Sequence, residues 1–138
     1  MSSATPAQIN LGLLLIRVVT GVIFVAHGAQ KLFSYGIENV AAGFTQAGVP
    51  LAGLLAPTVP VIEFAGGLAL IAGLLTRPVG LVLAAVMVGA GVTVHRTQFF
   101  LPVGYEYTLV LGAIVLMLAL TGAGGWSADA KLARPEAR

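Results

Sequence analysis

The run over residues 11–33, LGLLLIRVVTGVIFVAHGAQKLF, constrains this chain more than any other stretch, because it is long enough to cross a bilayer and still carries three ionisable side chains. Arg17, Thr20, Phe24, His27 and Lys31 follow one another at three- and four-residue steps, which on a helix gathers them into one stripe. Leu, Ile, Val, Gly and Ala fill the other faces. An arginine at membrane depth costs about 2.5 to 3.5 kcal/mol even on the lenient insertion scale. The stripe is therefore expected to face protein or a hydrated cavity and to form the wall of whatever site the protein has. Plainer uses compete with that expectation. Lys31 and Arg17 lie near enough to the ends of the span to snorkel to the headgroups, and a neutral His27 needs only a hydrogen bond to a neighbouring helix.

Composition supports a membrane setting. Of 138 residues 58% are hydrophobic and 9% charged, with a mean hydropathy of +0.99, whereas a soluble domain carries about a quarter charged residues. The chain reads as a single membrane domain over residues 1–138. Its net charge of +2 comes from scattered groups with no basic cluster interleaved with aromatics, so nucleic acid is not an expected partner. The absence of Cys excludes disulfides, thiolate metal sites, iron–sulfur clusters and thiol redox chemistry from this chain. Electron transfer would then need a bound cofactor or a partner. The first apolar run has no Lys or Arg ahead of it, is interrupted by Arg17 and exceeds a typical signal-peptide core, so it is expected to be a retained span.

Residues 1–10 read as a short polar tail. Beyond the first span, Ile37, Val40, Phe44 and Ala47 recur at helical spacing before Gly48, Val49 and Pro50 stop the pattern, which predicts a short amphipathic segment at the outer interface over about 36–49. A second span over about 57–75 has Pro60 in its expected first turn, Glu63 inside it, and Ala65, Ala69 and Gly73 at the four-residue spacing that lets helix backbones approach closely. Thr76, Arg77 and Pro78 predict a tight turn into a third span, 79–95, which ends in His95 and Arg96. A loop with Pro102 and Gly104 precedes a fourth span, 105–121, opened by Tyr105, Glu106 and Tyr107. Residues 122–138, with Trp126 at the interface, form a cytoplasmic tail. The expected fold class is an all-α integral membrane four-helix bundle with that short interfacial segment.

Four spans bring both termini to one side, with Arg77, Lys131, Arg134 and Arg138 there against Lys31 and Arg96 on the other, so the positive-inside rule places both termini in the cytoplasm. On that topology His27 and Glu63 lie at the same depth, about 9 Å below the outer surface, and His95, Arg96 and Glu106 sit at or near the outer helix ends. A polar pocket is expected from Arg17, His27, Lys31, Glu63, His95, Arg96 and Glu106, with Arg17 the outlier, about 15 Å deeper than His27. Imidazole and carboxylate groups pass protons, so a quinone head group suits such a pocket; two His on separate helices also make bis-His haem an alternative. Lys31 and Arg96 oppose a divalent metal, and none is expected. The plainest use of the same groups is to cross-link four helices.

The ordered set HGxxK at His27 to Lys31, ExxGG at Glu63 to Gly67, GLLTRP at Gly73 to Pro78, His95, and GYE at Gly104 to Glu106 resembles the DoxX family of small four-helix bacterial membrane proteins. The resemblance spans nearly the whole chain, from about Leu11 to Trp126. It implies an oxidoreductase label that many members carry. It also implies kinship with DoxD-type subunits of a thiosulfate:quinone oxidoreductase, and with mycobacterial relatives in a membrane complex concerned with oxidative stress and thiol balance. It assigns no catalytic residues. The resulting expectation is a subunit of the bacterial cytoplasmic membrane that binds a quinone-like or other small redox partner and works with redox partner proteins, among membrane lipids and in a form compatible with a homo-oligomer. A proton-coupled carrier and an assembly scaffold are the alternatives.

Overall fold

The computed structural model describes residues 4–100 and 104–133, and the expectations placed on Pro102, Arg134 and Arg138 lie outside them. Helix α1 (Pro6–Ala29) begins ahead of the apolar run because Thr5 and Gln8 form a capping box. The Thr5 hydroxyl accepts the Gln8 N–H at 3.3 Å, and the Gln8 side chain accepts the Thr5 N–H at 2.8 Å. Part of the expected polar tail is thus already helix. α1 runs on as a π-helical stretch, Gln30–Tyr35, and stops at Gly36, whose φ of +79° only glycine adopts easily. The amphipathic segment follows as α2 (Ile37–Gln46), which buries Val40 and packs on α3 (Ala52–Ala72).

Two local expectations are corrected. α3 starts at Ala52, so Pro57 and Pro60 lie inside the helix rather than Pro60 in its first turn; packing of α3 along α1 overrides the local preference against proline. The hairpin turn falls at residues 73–75, not at Thr76, Arg77 and Pro78. Gly73 closes α3 in the left-handed conformation (φ +68°), Leu75 follows at φ +50°, and Thr76 already opens α4 (Thr76–Val92). Pro78 then stands in a first turn, where its missing N–H costs nothing. His95 lies past the end of α4, with its N–H bonded to the Ala90 carbonyl at 3.0 Å. α5 (Glu106–Thr121) and the short α6 (Ala128–Leu132) follow and are the last helices among the described residues.

α1 packs along α3 and α4 along α5, and α3 against α4 joins the two pairs. The α1–α3 crossing is a backbone contact. A Cβ on Gly67 would lie 2.6 Å from the Gly21 carbonyl oxygen, and one on Gly28 would lie 2.5 Å from the Phe64 nitrogen. Gly80 plays the same part between α4 and α5, where a Cβ would meet the Val115 carbonyl at 2.6 Å. The close approach expected of Ala65 is made by Gly67 instead, and Ala65 faces outward. Phe24, Leu70, Leu83, Met87, Leu111, Val115 and Leu118 fill the core.

Large apolar side chains cover the outside along the helices, including Leu15, Val19, Leu68, Leu81, Val88, Leu109 and Leu120, while Arg17, Thr20, Glu63, Thr76, Thr108 and Ser127 are buried. That inversion is what a hydrocarbon solvent selects. The stretch Pro6–Tyr35 (30 residues) and α3 (21 residues) are long and apolar enough to cross a bilayer; α4 and α5, with 17 and 16 residues, are apolar and stand at the short limit.

Candidate functional site

The inward face of α1 follows the stripe. Arg17, Thr20 and Phe24 are each 1% exposed, and two turns beyond Phe24 Lys31, inside the π-helical stretch, reaches across to α3. Its ammonium donates to both oxygens of Glu63, at 2.7 and 2.5 Å. Lys31 therefore pairs rather than snorkels. The pair is asymmetric: the Glu63 side chain is 3% exposed and the Lys31 side chain 22%. A carboxylate buried in a span needs its countercharge at contact distance, and the bidentate arrangement supplies it.

His27, on the preceding turn of α1, makes the hydrogen bond to a neighbouring helix that the plainer alternative allows. Its Nε2 lies 3.0 Å from the Tyr107 hydroxyl of α5, with the two rings tilted at 45° and their centroids 5.6 Å apart. His27 is exposed where Glu63 is buried, and both border a cavity. A chamber of about 370 Å³ is lined by His27, Lys31, Glu63, His95, Tyr107 and Thr108 on its polar side and by Phe24, Met87 and Leu111 on its apolar side. A second cavity of about 640 Å³ opens beside it, walled mostly by α2, the α2–α3 connection, α3 and α4 through residues such as Phe44, Val49, Ile62 and Val86. His27, Lys31, Glu63 and His95 line both and so form their common wall.

Of the seven residues expected to share one pocket, the structure brings these four together. Arg17 sits midway along α1, ten residues and about 15 Å from His27. Its Nη1 and Nη2 donate to the carbonyl oxygens of Ala123 and Trp126 at 2.7 and 2.9 Å, so the chain beyond α5 folds back over the guanidinium. The depth difference that set Arg17 apart in the sequence is real, and it separates the residue from the chamber entirely. Arg96 lines a different groove, on the outside of α4 and α5, because it lies beyond His95 in the turn after α4. Glu106 opens α5, its backbone N–H bonded to the Phe99 carbonyl at 3.0 Å, and it lines neither chamber. Among the described residues no three His, Asp or Glu side chains converge as a metal site requires.

Tyr107 and Asp129 are the residues that sequence reasoning left out. Tyr107 sits one residue past the GYE motif, and an aromatic at a helix end is ordinarily an interface anchor, which hides its inward role. Asp129 follows Ser127, whose hydroxyl accepts the Ala130 N–H at 3.1 Å. That Ser-x-Asp pattern marks a helix start, and the Asp129 carboxylate accepts the N–H groups of Leu75 and Thr76 at 2.7 and 2.9 Å, capping α4 from a distant part of the chain. Burial alone pushes the Asp129 carboxyl up, but the Thr76 and Leu75 N–H groups and the Arg17 charge outweigh it and hold the carboxyl below its usual range.

The pattern of the DoxX family matches residues 12–96. The chain is 38% identical over 114 residues to the Bacillus subtilis protein named "Putative oxidoreductase CatD", covering 82% of this chain and 81% of that one. It is 32% identical over 123 residues to the inner membrane protein YqjF of Escherichia coli, covering 87% and 91%. An uncharacterized membrane protein of Mycobacterium tuberculosis is 29% identical over 134 residues, covering 86% and 80%. No solved structure matches the chain.

Proposed function

This chain belongs to the DoxX family of bacterial membrane proteins, and we propose that it serves as a membrane-embedded oxidoreductase subunit that binds a quinone at the wall between its two chambers. The observation that carries the proposal is the shared wall. The Lys31–Glu63 pair, the His27–Tyr107 pair and His95 stand together where a polar chamber meets a larger apolar one. An amphiphile with a polar ring and a hydrocarbon tail fits that arrangement, with the ring at the wall and the tail in the apolar cavity. Reduction of the ring takes two electrons and two protons and turns two carbonyls into hydroxyls. His27, Tyr107 and Lys31 are groups able to hold and hand over protons at such oxygens. Bis-His haem is a poorer fit, since His27 Nε2 is already engaged by the Tyr107 hydroxyl.

On this proposal the chain spans the membrane four times. Arg77 and Lys131 stand at the cytoplasmic end with both termini, and Lys31 and Arg96 at the outer end. Electrons come from a partner protein, because the chain has no Cys to carry them by thiol chemistry. The test is titration of the purified protein in nanodiscs with a prenylated benzoquinone and with its tail-less head group. Saturable binding is expected, tighter for the prenylated compound and weakened about tenfold or more by Glu63→Gln or His27→Ala, a loss of about 1.4 kcal/mol. Wild-type protein with no saturable binding would overturn the proposal.

A further inference from the structure

We propose that the outward groove between α4 and α5 is a binding site for one anionic phospholipid, with its phosphate at Arg96 and one acyl chain along the groove. The groove encloses about 590 Å³ and is distinct from the chamber, from which Met87 and Thr108 divide it. Val88, Val92, Leu109 and Leu116 are its walls. Its depth comes from two glycines, since a Cβ on Gly91 would stand 3.0 Å from the Thr108 hydroxyl and one on Gly112 would stand 3.4 Å from the Met87 Cβ. Among the described residues that line it, Arg96 is the only charged one, and it stands at one end beside Tyr105.

Length and level select the occupant. From Tyr105 to Leu116 the groove runs eleven residues of helix, about 16 Å, against about 15 Å for one leaflet of the hydrocarbon core. The Arg96 end lies beside an aromatic cluster, where the Phe99 ring meets Phe100 and Tyr105 edge-on at centroid distances of 5.0 and 5.1 Å and Phe100 is 70% exposed. Tyr105 is itself 38% exposed, and an exposed tyrosine at a helix end sits at the headgroup boundary. A guanidinium at that level, at the head of a leaflet-long apolar slot, matches a lipid phosphate in charge and in fork geometry. The Thr108 hydroxyl is spent on the Tyr105 carbonyl at 2.9 Å, which leaves the guanidinium to do the recognition.

The experiment is native mass spectrometry of the full chain released from nanodiscs that contain phosphatidylglycerol and phosphatidylcholine of matched chains. One phosphatidylglycerol retained about tenfold over phosphatidylcholine is expected, with Arg96→Gln reducing that preference to within about twofold. Arg77→Gln, at the opposite end of α4, is expected to change nothing, and Gly112→Leu, which fills the slot, to lower retention of both lipids. Equal retention of the two lipids, an Arg96→Gln variant like the wild type, an equal loss in Arg77→Gln, or full competition by glycerol phosphate would each overturn the proposal. So would a dimer that retains no lipid. Quinone binding is read separately, so neither proposal shelters the other.

Discussion

Arg17 and Lys31 ride on one continuous helical stretch about 20 Å apart, and the protein treats the two cations in opposite ways. Arg17 is sealed. It is 1% exposed, both of its terminal nitrogens are on carbonyls, and Gly73 leaves no spare volume, since a Cβ there would stand 2.5 Å from Nη1. Lys31 keeps 22% exposure and meets its carboxylate in a wall with a cavity on either side. Both arrangements answer the same cost of a cation at membrane depth. The first engages both terminal nitrogens of the group, leaves its buried Nε without a partner, and serves to hold the chain beyond α5 over the α3–α4 turn. The second leaves faces toward two cavities, and it is there that the proposed quinone site lies.

If this division is right, the largest loss of stability comes from the end without a cavity. Arg17→Leu orphans the carbonyls of Ala123 and Trp126 and frees the returning segment, at a cost on the order of 3 kcal/mol. Thermal unfolding in detergent is the measurement, and quinone affinity in the folded variant should stay at the wild-type level. A variant that unfolds no earlier but loses the ligand would reverse the roles of the two ends. Next in size is Glu63→Leu, expected to cost about 2 kcal/mol by leaving Lys31 without its partner. The double variant Lys31→Met, Glu63→Leu sharpens the comparison, because an apolar pair in place of an ion pair commonly restores stability. It should regain most of the unfolding temperature and none of the binding.

The sequence made the helical membrane class legible, because hydrocarbon length and charge scarcity leave few alternatives. It also pointed to His27, Lys31, Glu63 and His95, since depth along a span is readable from residue count. What it did not carry was azimuth. Depth alone grouped Arg96 and Glu106 with the chamber, and a turn beyond His95 sends Arg96 to the outer groove. Turn chemistry was the second gap. Leu75 in a left-handed conformation has no compositional signature, so the hairpin was expected a few residues late, while the T-P-x-Q start of α1 was a readable capping box within what passed for a tail. Asp129 acts on residues more than fifty positions away, and no local pattern reports that.

A smaller effect belongs to Asp129 and bears on how the sealed end is kept shut. Asp129→Ala removes the cap on the Leu75 and Thr76 N–H groups and is expected to cost about 1 to 1.5 kcal/mol, in line with other lost caps. Its carboxyl is held low in the folded protein, so its contribution is complete above the ordinary carboxylate range and is lost as pH falls through the depressed folded value. Unfolding temperatures of wild type and variant should therefore converge in acid and separate toward neutrality. A constant gap across that range would mean that the carboxylate charge is not what holds the turn.

The finest test concerns the open end. Tyr107→Phe deletes the hydroxyl that meets His27 Nε2 and little else, and because His27 faces a cavity, water can take the vacant position. The stability change should be about 0.5 kcal/mol, the low end for a lost hydrogen bond. Binding should respond more than stability does, with a several-fold loss of quinone affinity, because the hydroxyl is one of the few polar groups on the α5 side of the chamber. A residue that merely braced the helices would show the reverse ratio. If Tyr107→Phe lowers the unfolding temperature as much as Arg17→Leu does while quinone affinity holds, then α5 is braced through Tyr107 as firmly as the other end is through Arg17. The distinction between a sealed end and an open one would then be one of exposure only.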